Sequence, residues 1–227
     1  MRVAGTPVAS VMRRRSSAHT ALTAPLSLTT KTAARIARAR SRSMNKTPFL
    51  CVPHPDKVSP TGCISIIGMA AAGKTTIGRE LAALTGWTQV DSDHVIESTY
   101  GARLHTISTS MSKEEFLDIE ETVIRNINAC RAIISTGGSA VYRPQAIRKL
   151  KTLGPVIYVL VPLPIILDRI ARKPDRGLAI APGQTVEELY NERARLYEAA
   201  ADFTVEGGEA PALVYAQTIA AWLAEKA

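Results

Sequence analysis

The sequence lacks most of the features that would place it by composition alone. Its three cysteines, Cys51, Cys63 and Cys130, form no C-x-x-C pair and no metal-ligand spacing. That argues against a zinc module or a disulfide-framed secreted fold and suits a reducing compartment. Cys63 and Cys130 sit in apolar contexts and read as small core residues. Long apolar runs are missing too. The longest, residues 156–167, is broken by Pro162 and Pro164, so no membrane span is expected. There are no internal repeats. Acidic residues are absent from residues 1–43, which hold nine Lys/Arg and no Asp/Glu. Residues 44–227 then carry 19 basic and 20 acidic residues, a net of −1. The overall +8 therefore belongs to the N-terminal segment and gives no reason to expect nucleic-acid binding by the body.

Residues 1–43 are rich in Ser, Thr, Ala and Arg without strong periodicity, the composition of a disordered basic extension. Three readings compete. Met44 is the true start (the favoured reading), or the segment is an organelle transit peptide, or it is a basic arm for nucleic acid or anionic lipid. The expected domain spans residues 60–227, because nothing before about residue 60 is needed for the pattern that follows.

What is present centres on residues 63–76, CISIIGMAAAGKTT. Residues 63–67 are a short apolar, β-branched run, the pattern of a buried strand. Gly68, four residues, then Gly73-Lys74-Thr75 match the phosphate-binding loop pattern G-x-x-x-x-G-K-[ST]. A helix is predicted over 76–84, with Ile77, Leu81 and Leu84 on one stripe. Glycines let backbone N–H groups turn inward around phosphate oxygens, and the helix adds its positive N-terminal end. The expected nucleotide set is Gly68, Ala70, Ala72, Gly73, Lys74, Thr75 and Thr76. Lys74 supplies charge to the β- and γ-phosphates, and Thr75 a hydroxyl to Mg²⁺.

A second short strand, residues 87–90, leads into Asp91-Ser92-Asp93. Extended residues i and i+2 face one side, so both carboxylates can reach one site, one toward Mg²⁺ and one toward an acceptor hydroxyl. Asp93 also suits the start of the next helix as a cap. Residues 112–129 form an amphipathic helix opened by a Ser112–Glu115 capping box, with Phe116, Ile119, Val123 and Ile127 as its buried stripe. A third strand, 132–135, ends in Thr136-Gly137-Gly138-Ser139, where paired glycines allow close approach to a ligand. A helix over 143–153, a strand over 155–161 and another helix follow. Residues 172–177, RKPDRG, read as a lid whose arginines close over phosphates. A helix over 185–200 carries Arg193, then come a strand at 202–205 and a helix over 210–226 with Trp222 in the core. His94 and His105 are isolated and read as solvent or cap residues. The βαβα alternation predicts a parallel sheet of about five strands with helices on both faces.

These residues resemble the shikimate kinase family, over about residues 64–204. GMAAAGKTTIGRELA looks like its phosphate loop and first helix, DSDHVIE like its Asp-Ser-Asp segment, and FLDIE stands at Phe-Arg-x-x-Glu. ISTGGS stands at Ser-Thr-Gly-Gly-Gly, DRGL at the lid Arg-Pro-Leu-Leu, and ERARLY at Glu-Arg-x-Pro-Leu-Tyr. The resemblance implies a three-layer α/β P-loop kinase. It also implies that Lys74 and Thr75 serve phosphate and Mg²⁺, that Asp91 holds Mg²⁺, and that Asp93 holds the acceptor and acts as base. Gly137 and Gly138 would face the acceptor, Arg176 would be the lid arginine, and Arg193 would bind a carboxylate. The chain departs from the family at Leu117, where the family has its second substrate arginine, at Ser139, the third glycine, and at Gly177, the lid proline.

The expected activity is Mg·ATP-dependent phosphoryl transfer to an alcohol in amino-acid biosynthesis. Leu117 makes the pocket less cationic, which favours homoserine, in the threonine pathway, as acceptor. Shikimate is the alternative, and a non-catalytic nucleotide-binding module the second. The expected partners are a small molecule, no nucleic acid and no membrane. The chain is expected to be a cytoplasmic monomer or weak dimer.

Overall fold

Five short runs of mostly β-branched residues build the sheet. In the computed structural model, which describes residues 62–172, 178–181 and 183–226, they are β1 (Ile64–Ile67), β2 (Thr88–Asp91), β3 (Ala132–Ser135), β4 (Val156–Leu160) and β5 (Phe203–Glu206). All pairings are parallel, in the order β2-β3-β1-β4-β5. Every residue of β1 and β3 is buried, as strands covered on both faces must be. Edge strands β2 and β5 keep exposed positions. Ile66, Ile133, Ile134 and Ile157 are wholly buried, each side chain contributing about 1.5–3 kcal/mol of burial.

Helices fill the crossovers: α1 (Lys74–Thr85), α2 (Ser92–Tyr100), α3 (Leu104–Thr109), α4 (Lys113–Arg125), α5 (Pro144–Leu153), α6 (Leu163–Ala171), α7 (Val186–Ala200) and α8 (Ala212–Lys226). A single 3₁₀ turn, Ala140–Tyr142, links β3 to α5. Among the described residues, helices cover both faces of the sheet, with α1 packed on α8 and α4 on α5. The expected fold class is therefore the observed one. The chain leaves β1 toward β2 and leaves β3 in the opposite direction, over β1, toward β4. The crevice between β1 and β3 is a topological switch point, where sheets of this kind bind ligands.

Several local expectations hold for their stated reasons. Capping boxes close at Ser112–Glu115 and Thr185–Glu188, each worth about 1 kcal/mol. Gly86 ends α1 in a left-handed conformation, φ 66°.

Others need correction. Trp222, expected in the core, is instead half-buried at its margin, where it packs by stacking on Phe203 with ring centroids 4.9 Å apart. Leu84 is 47% exposed, because α1 buries only Ile77, Leu81 and their neighbours and its last turn clears the sheet. Asp91, not Asp93, caps α2: its Oδ1 accepts from the backbone N–H of Asp93 and His94 at 3.0 and 3.4 Å. Helix α4 buries two stripes rather than one. Phe116, Ile119 and Val123 pack with Ile96 and Ile107 in a small second cluster, while Leu117, Glu120 and Ile124 form the other buried stripe. Cys63 is a core residue, but Cys130 is only half-buried. The short helix α3 escaped the sequence because six residues cannot establish a period. Residues 1–43, Met44 and lid residues Arg176 and Gly177 lie outside the described residues. Among the described residues no helix is long and apolar enough to cross a membrane.

Candidate active site

The carboxyl ends of three strands, β1, β2 and β3, converge at one edge of the sheet. Gly68 follows β1 with φ 145°, and a Cβ there would sit 2.7 Å from the Val159 carbonyl oxygen, so only glycine fits between β1 and β4. The loop then turns through Ala71, at φ 65°, and Gly73, at φ 93°. Alternating backbone hands of this kind aim successive N–H groups into one concavity, suited to an anion. Lys74 opens α1 and is 8% exposed, its Nζ donating to the Gly68 and Met69 carbonyls, both at 2.9 Å. The loop is held from below. Gln89 Nε2 donates to the Thr75 carbonyl at 2.8 Å and to Ser135 Oγ at 3.0 Å.

Thr75 Oγ1 donates to Asp91 Oδ2 at 2.7 Å. The two side chains expected to hold Mg²⁺ are therefore adjacent. Among the described residues no group of three or more His, Cys, Asp or Glu side chains is arranged to hold a metal ion by itself. This donor set fits Mg²⁺, which takes one or two protein oxygens and completes its shell from phosphates and water.

A cavity of about 630 Å³ opens beside the loop. Ala70, Gly73, Lys74, Thr75 and Thr76 line it, with Asp91, Asp93, Gly138, Ser139 and Arg193. Asp93 Oδ1 is buried with no hydrogen-bond partner. Burial first, then neighbouring Asp91, pushes the Asp93 carboxyl up to about 6. Gly137 lies off the cavity wall, but a Cβ there would collide with Glu120 Oε1 and lie 2.7 Å from Asp93 Oδ1. It is glycine so that two carboxylates can come together. Gly138 leaves room for Arg193 Nη1, 3.1 Å from where its Cβ would be, and for the Ala70 N–H at 3.2 Å. The paired glycines thus let β3 approach both the phosphate loop and the acceptor side.

Arg193 is 1% exposed. Its Nη2 donates to the Ala179 carbonyl at 2.7 Å and its Nε to Tyr142 Oη at 3.3 Å. One turn on, Tyr197 donates from Oη to the Gly138 carbonyl at 2.5 Å and stacks on Tyr158.

The structure changes three site expectations. Leu117 is buried but does not line the cavity; Phe116 and Glu120 of its helix do. Gly68 and Ala72 shape the loop without facing this cavity. His94 and His105 are exposed, as expected, yet both lie on the cavity rim.

It also adds residues that the sequence did not single out. Glu120 is 2% exposed, accepts a hydrogen bond from Ser139 Oγ, and is pushed up to about 7, chiefly by burial. A charged residue three positions after a buried leucine on one helical stripe was the available signal. A second cavity of about 310 Å³ lies on the other side of the loop, between Ala71, Thr76, Arg169 and Tyr215. Arg169 donates to the Ala71 and Gly208 carbonyls, which ties α6 to the phosphate loop and to the segment before α8. No sequence pattern marks a lone helical arginine of this kind.

A loop of phosphate-binding geometry at a switch point, a threonine bonded to an aspartate beside it, and a carboxylate and a buried arginine lining one cavity are the features of a phosphate-binding-loop kinase of small molecules. Comparison with known proteins narrows the class. The shikimate kinase profile matches residues 70–224. A shikimate kinase of Nitratidesulfovibrio vulgaris is 32% identical over 167 residues, 71% of this chain and 95% of that protein. One of Chromobacterium violaceum is 38% identical over 148 residues, 64% of this chain and 80% of that protein. Among solved structures, the shikimate kinase of Acinetobacter baumannii in complex with shikimate superposes with a TM-score of 0.68 at 32% identity, covering 73% of this chain and 94% of that one. The chain belongs to the shikimate kinase family. It is an ATP-dependent small-molecule kinase that uses Mg²⁺ and transfers phosphate to a hydroxyl.

Proposed function

We propose that the acceptor is shikimate, phosphorylated on a ring hydroxyl in aromatic amino-acid biosynthesis. The observation that carries this reading is the pairing, in one cavity, of the enclosed Asp93 carboxylate with the buried Arg193 guanidinium. A carboxylate that takes up a hydroxyl proton and an arginine that takes a carboxylate are what a hydroxylated ring acid needs. Glu120 on the cavity wall gives further ring hydroxyls an acceptor. The family relatives support shikimate above homoserine and the aromatic pathway above the threonine pathway. Their bacterial origin supports a cytoplasmic setting.

In this reading Lys74 and the loop N–H groups hold the β- and γ-phosphates. Thr75 and Asp91 hold Mg²⁺, which when bound neutralises phosphate charge. Asp93 orients the acceptor hydroxyl and receives its proton. Gly137 and Gly138 keep that corner clear of side chains, and Ser139 holds Glu120 in place. Arg169 and the smaller cavity take the nucleotide base. Arg176 closes over the phosphates.

Homoserine is a second reading, and Leu117 favours it. An apolar residue where the family has an arginine leaves Arg193 as the buried arginine of a cavity that Asp93 and Glu120 also line, with Arg103 exposed at its mouth, a balance less cationic than the family's and better suited to an acceptor carrying an ammonium. The test is Leu117→Arg. Under the shikimate reading it lowers KM for shikimate by about tenfold or more, the scale of one charge-assisted hydrogen bond. Unchanged kinetics with shikimate and homoserine alike would show that position 117 is remote from the acceptor.

A further inference from the structure

We propose that Tyr142 is a positioning residue that fixes the Arg193 guanidinium for the acceptor carboxylate. This inference rests on the assignment of Arg193 above. Tyr142 ends the 3₁₀ turn after Ser139 and does not line the cavity. It touches Arg193 in two ways. Its Oη accepts from Arg193 Nε at 3.3 Å, and its ring centroid lies 5.1 Å from the guanidinium carbon. The same ring carries Lys113 Nζ 4.9 Å from its centroid.

The contact continues beyond the pair. Tyr142 also lies close enough to Glu192 to help hold its carboxyl below the usual range, after the larger effect of the bond from Gln184. Glu192 Oε2 accepts that bond from Gln184 Nε2 at 2.7 Å. Gln184 Oε1 in turn accepts from the Ala181 N–H at 3.3 Å. Tyr142 therefore links the turn after β3 to helix α7. Arg193 Nη2 is tied to the segment leading into α7 through the Ala179 carbonyl.

The physical role follows from arginine itself. Its side chain has several rotatable bonds, and ordering it on binding costs affinity. A guanidinium already held at Nε and Nη2, with Nη1 beside Gly138, has lost that freedom before the acceptor arrives. Arg103 also lines the cavity but is exposed, so the guanidinium that is fixed before the acceptor arrives is that of buried Arg193, and Tyr142 acts through it. The sequence gives no hint of this, because Tyr142 and Arg193 stand 51 positions apart.

The experiment is steady-state kinetics on the full chain, with shikimate and homoserine each tried as the carboxylate acceptor, and the one turned over used as probe. Tyr142→Phe keeps the ring and removes the hydroxyl; Tyr142→Leu removes both. The expected result is an acceptor KM raised about tenfold by Tyr142→Phe, the equivalent of one hydrogen bond to a charged group. Tyr142→Leu raises it further. Both leave kcat and the KM for ATP within about twofold, a split that general loss of folding does not produce. In an Arg193→Lys background, Tyr142→Phe adds nothing, because the partner it positions has gone. The inference is overturned if Arg193→Lys raises the acceptor KM and the Tyr142 variants do not, or if the Tyr142 variants lower kcat and weaken ATP equally. If Arg193→Lys itself leaves the acceptor KM unchanged, or neither acceptor is turned over, the assignment of Arg193 falls and the inference with it.

Discussion

Lys74→Ala is expected to reduce kcat by about 10²–10³-fold, the cost of removing one preorganised charge from a developing phosphate charge. The ammonium is 8% exposed and lies over a loop whose N–H groups already point inward, so water cannot replace it as a rigid, desolvated charge. The loop itself survives the change. Its anchors are backbone atoms: the Thr75 carbonyl held by Gln89, and the Lys74 carbonyl held by Ser135 Oγ at 3.3 Å. Catalytic loss with a thermal midpoint changed by only a few degrees is therefore the predicted pair of results, read by ADP release and by calorimetry. Retained turnover would remove the phosphate-loop assignment and the phosphoryl-transfer mechanism built on it.

Asp93→Asn is expected to lower kcat by about 10²–10³-fold, within the range of a positioned general base. The pH profile separates this from a structural effect. Burial first, and then Asp91, raises the Asp93 carboxyl to about 6, so below that pH it holds a proton and cannot accept another. The value of kcat/KM should rise with pH through about 6 and then level. Glu120, raised to about 7 chiefly by burial, stands beside the same glycine, so the limb belongs to the pair rather than to either residue. In Asp93→Asn only one carboxyl of the pair is left to titrate, so the limb moves and becomes less steep. An acid limb of unchanged midpoint and steepness in the variant would take Asp93 out of the proton path.

What the chain revealed before folding, and what it did not, divides along physical lines. The phosphate loop was readable because its chemistry is local: glycine geometry, a lysine and a threonine must follow one another between strand and helix. Asp91 and Asp93 were readable as a pair at a strand end, but their roles in capping were exchanged, since the cap depends on where α2 starts its first turn. Helix α4 was found by its period, yet its second buried stripe was not, because the site carboxylate Glu120 breaks the apolar pattern that marks a core face. Arg169, Tyr142 and the Glu120–Ser139 contact are tertiary. They join segments 98, 51 and 19 positions apart, and no spacing rule spans such distances. The family resemblance put Arg193 in the site, and burial then explained why an arginine is tolerated there: it has partners at Nε and Nη2.

Position 117 is where sequence and structure bear most directly on the acceptor. Leu117, where the resemblance implies an arginine, sits on the stripe that carries Glu120, and its side chain is buried away from the cavity wall. An apolar residue there alters the charge around the pocket without narrowing the cavity itself.

The account is tested most directly by ADP release from the full chain with Mg·ATP and, in turn, shikimate, homoserine and no acceptor. It predicts release that depends on shikimate, at a rate well above the acceptor-free background, and formation of shikimate phosphate in equal amount. Release with homoserine alone would contradict the proposed acceptor and make Leu117 the mark of a changed substrate.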